Sequence, residues 1–266
     1  MTLKIILNDF SIYMTERKLT NIVAFCNKLL NVGMFRDYEA AVNGLQLQNS
    51  GTVTKIGACV DISYQTAKLA AENQCDLLIV HHGLMWNAFQ PITGKRYEMF
   101  KLLISNNIAV YSCHLPLDAH PKIGNNAILC KLLGFKNLKP FLSLKGQPIG
   151  FKTTTRIPRD LLNKKLTEVL GTTPVMIPFG PEICKNIGVV SGGAGEDLKI
   201  AANEGVDTYI TGEGPHWTFT TAQELEINIF YGGHYITEQF GVKALAEAVA
   251  KKFGIPWEFL EAPSGL

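Results

Sequence analysis

The apolar positions of this chain alternate between helical spacing and short continuous runs. Intervals of three and four residues predict a first amphipathic helix over residues 18–31, with apolar positions at Leu19, Ile22, Val23, Cys26, Leu29 and Leu30. Short apolar runs follow, and further stretches with helical spacing separate them. Short strands that alternate with helices are typical of an α/β fold.

The same pattern predicts elements along the whole chain. The predicted strands are 45–47, 56–60, 76–80, 108–113, 149–157, 174–177, 227–231 and 257–260. The predicted helices are 64–73, 97–105, 125–133, 158–170 and 241–253. Turn-forming residues over 140–150 predict a boundary there, so we expect an N-terminal extension at 1–17, a first lobe at 18–140 and a second lobe at 141–266.

One segment of the chain occurs twice. Residues 56–86 align without a gap to residues 187–217, at a constant offset of 131. The identical pairs are Ile56/Ile187, Gly57/Gly188, Lys68/Lys199, Ala70/Ala201, Ala71/Ala202, Asp76/Asp207, Ile79/Ile210, Gly83/Gly214 and Trp86/Trp217. Each copy reads as strand, helix, strand. The repeat therefore predicts an internal duplication that yields two related α/β lobes.

The two copies differ where the second strand ends, because His81-His82 stands in one and Gly212-Glu213 in the other. Ligands in α/β sheets bind at the carboxyl ends of strands. Further on, an apolar run in each half precedes a histidine with a carboxylate four residues later, namely His114 with Asp118 and His234 with Glu238. Imidazoles with carboxylates suit zinc, manganese or ferrous iron. We expect two divalent ions in a cleft between the lobes.

Other residues have simpler interpretations. His114 is either a direct ligand or a hydrogen-bond partner of a ligating carboxylate, and we favour the second. Loop positions are the expected place for His120 and His216, and packing is expected for Trp86 and Trp217. A nucleophilic Cys113 is disfavoured because it ends an apolar run. The Ser191–Gly195 segment predicts a tight turn and not a phosphate cradle, since acidic residues follow it at once.

Composition excludes some classes of protein. The net charge of +2 comes without a basic run, which argues against a nucleic-acid partner. The six cysteines form no Cys-x-x-Cys pair, so we expect buried thiols in a reducing compartment. The apolar stretch at the N-terminus is short, so we expect no signal peptide, and no apolar run reaches membrane length. We expect a cytoplasmic protein without a membrane partner, whose translation starts at Met1 or Met14.

Five motifs together resemble the Nif-three-like family (NGG-interacting factor three), whose members are often named as type 2 GTP cyclohydrolase I. The motifs are Asn43–Gln46, His81-His82-Gly83, His114–Asp118, Thr211–Glu213 and Gly233–Glu238. The resemblance covers the chain from about residue 18. It implies two α/β lobes, a ring-like homohexamer and a dinuclear metal site with ligands on His81, His82, Asp118, His234 and Glu238.

The resemblance also implies a reaction. A small-molecule substrate, such as a nucleotide, would have its guanine imidazole ring opened by metal-activated water, with Glu213 or His114 moving protons. Three hypotheses stay open at this point: a dinuclear metal-dependent hydrolase of cyclohydrolase or phosphoesterase type, a non-catalytic metal-binding or interaction protein, and a purely structural ring.

Overall fold

The computed structural model describes residues 17–86 and 90–265 of the 266-residue chain. The predicted extension, apart from Arg17, and the alternative start at Met14 lie outside the described residues. The chain forms two compact units. Unit 1 comprises the described residues up to Pro116 together with Val242–Ala262, and unit 2 comprises Leu117–Gly241 with the chain from Pro263. The lobe boundaries that the sequence repeat suggests stay a prediction.

Unit 1 is a five-stranded sheet with helices. Its elements in chain order are α1 (Leu19–Leu30), β1 (Gly44–Leu47), β2 (Ile56–Asp61), α2 (Tyr64–Glu72), β3 (Leu77–His82), α3 (Gly94–Ser105), β4 (Ala109–Ser112) and the C-terminal β11 (Trp257–Phe259). The strand order is β1-β4-β3-β2-β11, with β1 antiparallel to β4 and every other neighbouring pair parallel. The predicted C-terminal edge strand is thus confirmed.

The core of unit 1 forms between this sheet and its helices. Residues 77–81 of β3 are all buried, as expected for a parallel strand covered on both faces. Helix α2 begins at a capping box in which Ser63 and Thr66 satisfy each other's backbone amides. The strand and its neighbouring helices share one apolar cluster that includes Ala67, Val80, Leu103 and Val110. This packing fixes the carboxyl end of β3, where the histidine pair lies.

Unit 2 is a six-stranded mixed sheet with helices. Its elements are α5 (Asn125–Leu132), β5 (Lys139–Leu144), β6 (Gln147–Pro158), α6 (Arg159–Leu170), β7 (Val175–Pro178), β8 (Ile183–Val189), α7 (Leu198–Asn203), β9 (Thr208–Thr211), α8 (Thr218–Glu224) and β10 (Asn228–Tyr231). The strand order is β5-β6-β8-β9-β10-β7. Two helices cross the unit boundary along the chain, α4 (Leu115–Asp118) and α9 (His234–Phe253).

The two units repeat one another in structure as well as in sequence. Ile56 pairs with Leu77 between β2 and β3, and Ile187 pairs with Thr208 between β8 and β9, at the same offset of 131. Gln74 and Gly205, also 131 residues apart, both adopt a positive φ, of 57° and 83°. The mixed α/β fold predicted from the sequence is therefore confirmed.

Several local predictions are wrong. No strand was predicted at 139–144, where the structure has β5; this strand forms a hairpin with β6 that turns at Lys145-Gly146. Helix α9 begins at His234, seven residues before the predicted start at Gly241. Leu161, expected to face inward, is 45% exposed, because α6 buries the stripe Leu162, Leu166 and Leu170.

The prediction that the cysteines are buried thiols is confirmed, since all six are free and buried. Burial raises the pKa of Cys26, Cys59, Cys75 and Cys130 to about 12. Cys113 is fully buried after β4, in agreement with its rejection as a nucleophile. Within the described residues, no helix is both long and apolar enough to span a bilayer.

Candidate metal centre

His81 and His82 are the last two residues of β3. His81 is fully buried, and its Nδ1 lies 2.9 Å from the backbone oxygen of Cys113. His82 Nδ1 lies 2.8 Å from Asp61 Oδ1, at the end of the adjacent strand β2. A carbonyl or carboxylate oxygen accepts a hydrogen bond, so each Nδ1 carries the proton and each Nε2 presents a lone pair.

Gly83 follows the histidine pair, and the sequence predicts that it provides a bend. Its φ is not positive, so the residue is required for a different reason. A Cβ at this position would overlap the side chains of Gln46 and Ser112. Glycine here allows the neighbouring strands β1 and β4 to approach the end of β3.

His114 lies between β4 and the short helix α4, and a buried carboxylate holds it. Its Nδ1 lies 2.9 Å from Asp37 Oδ1, and its backbone N–H donates to Asn43 Oδ1 at 2.7 Å. Asn43 Nδ2 in turn donates to Asp37 Oδ2 at 2.8 Å. The carboxylate that His114 contacts is thus Asp37, which was not among the predicted metal ligands.

The three histidines of unit 1 form one cluster. Each offers a ring nitrogen, and these nitrogens all lie within 4.8 Å of one another. The His114 ring centroid is 4.9 Å from that of His81 and 5.6 Å from that of His82. Trp86 packs edge-on against His114 at 4.6 Å and against His82 at 5.1 Å. Trp86 therefore packs as predicted, but against the imidazole cluster.

Unit 2 presents a cluster of opposite character, at the start of α9. His234 and Glu238 are one helical turn apart and share a face, and His234 Nε2 lies 3.1 Å from Glu238 Oε2. His234 Nδ1 lies 2.7 Å from Glu213 Oε1. Glu213 follows β9, and its side chain is 45% exposed. One of the two predicted catalytic residues, Glu213, thus contacts a predicted ligand directly.

Asp118 ends helix α4 and is buried in unit 2. Its Oδ1 accepts hydrogen bonds from Asn125 Nδ2 at 2.7 Å and from Ser191 Oγ at 3.1 Å. A carboxylate oxygen of Asp118 lies within 4.8 Å of one of Glu238. Two buried carboxylates this close repel each other unless a cation or a proton lies between them.

The segment Ser191–Gly195 forms a tight turn, as predicted, and it also lies against this cluster. Gly192 has a φ of +69°, and a Cβ there would overlap Glu238 Oε1. Its backbone N–H donates to Thr237 Oγ1 at 3.0 Å. The glycine is therefore required both for its backbone conformation and for the space that Glu238 occupies.

The electrostatics of the two clusters are opposite. Burial alone would raise the pKa of Asp37, but hydrogen bonds from His114, Asn43 and the Tyr38 N–H outweigh burial and lower the pKa. Burial alone would lower the pKa of His234, but Glu238 and Glu213 outweigh it and raise the pKa to about 9. The carboxylates of unit 2 thus favour the protonated form of His234, whereas the donors around Asp37 in unit 1 favour the ionised carboxylate.

The remaining histidines do not join either cluster. His120 Nδ1 accepts hydrogen bonds from the backbone N–H groups of Lys122 and Ile123, so it stabilises a turn. His216 is exposed, as expected for a loop residue. Trp217 is 44% exposed, so its predicted packing role is wrong. Trp217 immediately precedes helix α8, whereas the equivalent Trp86 follows the end of strand β3.

Sequence reasoning missed the side chains that hold the clusters. They are Asp37, Asp61, Asn125, Ser191 and Thr237. Asp61 was detectable, since it ends a strand next to the strand that carries His82. Asp37 gave no such signal, because it lies in a loop 77 residues before His114.

The donor set fits a transition-metal ion. Imidazole nitrogens and carboxylate oxygens are the usual ligands of zinc, manganese and ferrous iron. His81, His82, His114 and His234 all have Nδ1 against an acceptor, so Nε2 is the nitrogen that would coordinate a metal ion; that of His234 faces Glu238 Oε2. Protein metal sites commonly hold their histidines in this way.

Fold and site together define a class: a duplicated α/β protein whose units carry clustered imidazoles and clustered carboxylates suited to divalent metal ions. The family model described as Duf34/NIF3 (NGG1p interacting factor 3) matches residues 17–264. The chain belongs to this family, which confirms the resemblance found in its motifs.

Individual relatives support the assignment. A protein of Deinococcus radiodurans named GTP cyclohydrolase 1 type 2 homolog is 39% identical over 249 residues, covering 92% of this chain and 93% of the relative. A protein of the same name from Archaeoglobus fulgidus is 36% identical, covering 93% of this chain and 99% of the relative. The crystal structure of TTHA1606 from Thermus thermophilus superposes with a TM-score of 0.87 at 33% identity, covering 94% of this chain and 100% of that chain.

Proposed function

We propose that this chain is a hydrolase that depends on two divalent metal ions. The proposed ligands are His81, His82, Asp118, His234 and Glu238. The observation that carries the proposal is the common orientation of the imidazoles, each of which donates Nδ1–H to a fixed acceptor. If these histidines were buried only for packing, there would be no reason for all of them to hydrogen-bond through the same nitrogen, Nδ1.

The two clusters are close to one another along the chain. Only three residues, Leu115–Leu117, separate His114 of the imidazole cluster from Asp118 of the carboxylate cluster. The boundary between the units falls within these three residues. One short segment of chain therefore carries a residue of each cluster.

The chemistry can be divided between the metal ions and the side chains. Divalent ions at this site would polarise a substrate and lower the pKa of a coordinated water towards neutrality. Glu213 holds the tautomer of His234 through Oε1, and its half-exposed carboxylate can accept a proton from a substrate or water molecule. The proposed proton carriers are Glu213 and His114, as the sequence suggested.

The proposed substrate is a small molecule, with nucleotides as the first class to test. The printed name of the relatives, GTP cyclohydrolase 1 type 2 homolog, motivates this choice. The corresponding reaction would add water to the imidazole ring of guanine and release C8 as formate. We further propose that the chain works in the cytoplasm as a ring-like homohexamer, on the ground of the family resemblance; light scattering would test this against six times the 29.3 kDa chain mass.

The decisive experiment combines metal analysis with a substrate screen. The purified protein is analysed for bound metal and then assayed with GTP, other nucleotides and phosphoesters, before and after chelation. We expect bound divalent metal and turnover of at least one compound, lost in His81→Ala and in Glu238→Ala. His216→Ala is the matched control, because this histidine is exposed and outside both clusters.

Two outcomes would contradict the proposal, and a third would change the proposed reaction. If the folded protein contained no metal, the proposed metal centre would be wrong. Tight metal binding without turnover of any compound would indicate a metal-handling or interaction protein, and turnover of phosphoesters alone would replace the cyclohydrolase reaction by a phosphoesterase one.

A further inference from the structure

Asp37 occupies an unusual position for a residue that no sequence motif marks. It lies in the loop between α1 and β1, and it is only 9% exposed. Its Oδ1 accepts from Tyr38 N–H at 2.7 Å and faces His114 Nδ1, while its Oδ2 accepts from Asn43 Nδ2 and from Leu115 N–H at 3.0 Å. A buried carboxylate is costly unless it is well hydrogen-bonded, and this one is.

These bonds hold His114 at three points. Asp37 accepts from its ring Nδ1–H, Asn43 accepts from its backbone N–H, and Asp37 accepts from the next backbone N–H, that of Leu115. The ring can then neither flip nor turn away without breaking a buried hydrogen bond. Gly44, with a φ of +112°, directly follows Asn43 and lets β1 begin there. We call Asp37, Asn43 and the bonded His114–Leu115 backbone the His114 clamp.

The clamp determines which ring nitrogen of His114 can act as a ligand. Because Nδ1 of His114 is occupied by Asp37, its ligand atom is Nε2. The nitrogens offered by His81, His82 and His114 lie within 4.8 Å of one another. All three of these residues belong to unit 1, so this set is complete within one unit.

We infer that Asp37 is a positioning residue, which through the His114 clamp holds His114 as a third nitrogen ligand beside His81 and His82. This inference rests on the proposed metal centre, but not on any particular reaction. It adds His114 to the five proposed ligands. It replaces both the expected role of His114 as the partner of a ligating carboxylate and its proposed role as a proton carrier, which then falls to Glu213 alone. It also gives a function to the Asn43-Gly44 turn.

The test is Co²⁺ binding to the full-length protein with Asp37→Asn. An asparagine has only one acceptor oxygen, so its NH₂ group must face either the donors of Asn43 and Leu115 or those of His114 and Tyr38. We expect the Co²⁺ affinity to fall roughly 10- to 100-fold, as for other changes in residues that orient metal ligands. We also expect a changed visible absorption spectrum of bound Co²⁺, because His114 leaves the coordination sphere. His114→Ala should give the same spectral change.

A matched control separates positioning from stability. Asp76→Asn removes another carboxylate of unit 1 that accepts from backbone N–H groups, those of Thr54 and Lys55, but contacts no histidine in the described structure. We expect it to lower the thermal midpoint while leaving the Co²⁺ spectrum unchanged.

A second probe is the double variant Asp37→Asn with Asn43→Asp. The carboxylate that it introduces at position 43 can again accept from the backbone N–H of His114. We expect this variant to recover folding stability but not Co²⁺ affinity, because His114 Nδ1 then faces a neutral amide.

The possible outcomes are distinguishable. If folded Asp37→Asn or His114→Ala binds Co²⁺ with unchanged affinity and spectrum, the positioning role is wrong. If His81→Ala also leaves Co²⁺ binding unchanged, the proposed metal centre itself is wrong. Loss of binding in His81→Ala without any turnover in the substrate screen would leave the positioning role supported and the hydrolase function rejected.

Discussion

Residue 82 in unit 1 and residue 213 in unit 2 are equivalent in the repeat, and each belongs to a pair of one imidazole and one carboxylate. At the first position the strand end carries the imidazole, and Asp61 on the neighbouring strand faces its Nδ1 at 2.8 Å. At the second position the strand end carries the carboxylate, and Glu213 faces Nδ1 of His234 at 2.7 Å. Both units therefore have an imidazole–carboxylate pair at this strand end. The strand end supplies the imidazole in unit 1 and the carboxylate in unit 2.

The exchange extends to the neighbouring strand. The residue equivalent to Asp61 in unit 2 is Gly192, and a Cβ there would overlap Glu238. Unit 1 therefore has a carboxylate side chain at this position. Unit 2 has no side chain there, because Glu238 of helix α9 occupies the space. The comparison shows that duplication fixes where a site forms, whereas the side chains at two or three positions decide its charge.

The largest expected effect comes from exchanging the two strand-end residues. His82→Glu removes an imidazole and sets a second carboxylate against Asp61. We therefore expect metal affinity to fall by at least about 100-fold, which exceeds the usual effect of changing a residue that only orients a ligand. Glu213→His retains a polar partner for His234 and should cost only about 10-fold. Competition with a chelator measures both. Equal losses would show that the two positions do not differ in role.

The next effect tests the space at Gly192. Gly192→Ala should lower the free energy of unfolding by about 2–4 kcal/mol, because it combines a left-handed backbone with displacement of Glu238. Gly146→Ala is the control, since Gly146 has a φ of +80° in the β5–β6 turn and no atom within 4 Å of the added Cβ. It should cost only about 1–2 kcal/mol. If urea denaturation gave the same loss of unfolding free energy for both variants, the role assigned to Gly192 would be wrong.

A smaller effect should be equal in the two units. Asp76 accepts from Thr54 N–H, Lys55 N–H and Thr54 Oγ1. Its equivalent, Asp207, accepts from Lys185 N–H, Asn186 N–H and Thr208 Oγ1. Asp76→Asn and Asp207→Asn should each cost about 1–3 kcal/mol in unfolding free energy.

The double variant of these two residues should show additive losses, because they share no described partner. Thermal and urea unfolding measure both quantities. A large loss in one unit and none in the other would mean that the duplicated scaffold does not use this carboxylate in the same way.

The smallest effect is a pH dependence that should differ between the clusters. In metal-free protein His234 has a pKa raised from 6.5 to about 9. A raised pKa stabilises the fold fully below pH 6.5, and this stabilisation disappears as the pH rises through about 9. Asp37 has a lowered pKa, so its contribution is present above pH 3.8 and is lost as the pH falls.

Thermal midpoints measured in chelator across this range test the prediction. Glu213→Gln should flatten the alkaline decline, since one of the carboxylates that raise the pKa of His234 is gone. It should leave the acid side unchanged, because Asp37 belongs to the other cluster. A midpoint that stays constant from pH 6.5 to 9 in the unmodified chain would contradict the assignment.

Much of the scaffold could be predicted from the sequence because it depends on local pattern. Buried parallel strands read as continuous apolar runs, and the repeat at an offset of 131 located the same strand register in both units. The start of α9 was not predictable from apolar spacing alone, because its first turns carry the polar pair His234 and Glu238. Strand β5 was not predicted, because turn formers mark a hairpin as readily as a linker.

What the sequence by itself determined is the set of chemical groups and their spacing: a histidine pair at a strand end, and a histidine with a carboxylate four residues later in each half. Only the tertiary structure decided which acceptor each imidazole meets. Asp37 and His114 are 77 residues apart, and Ser191 and Asp118 are 73 residues apart. Hydrogen bonds act over about 3 Å, so such pairs are fixed only after the sheets have formed. The same bonds decide which ring nitrogen is left to bind a metal ion.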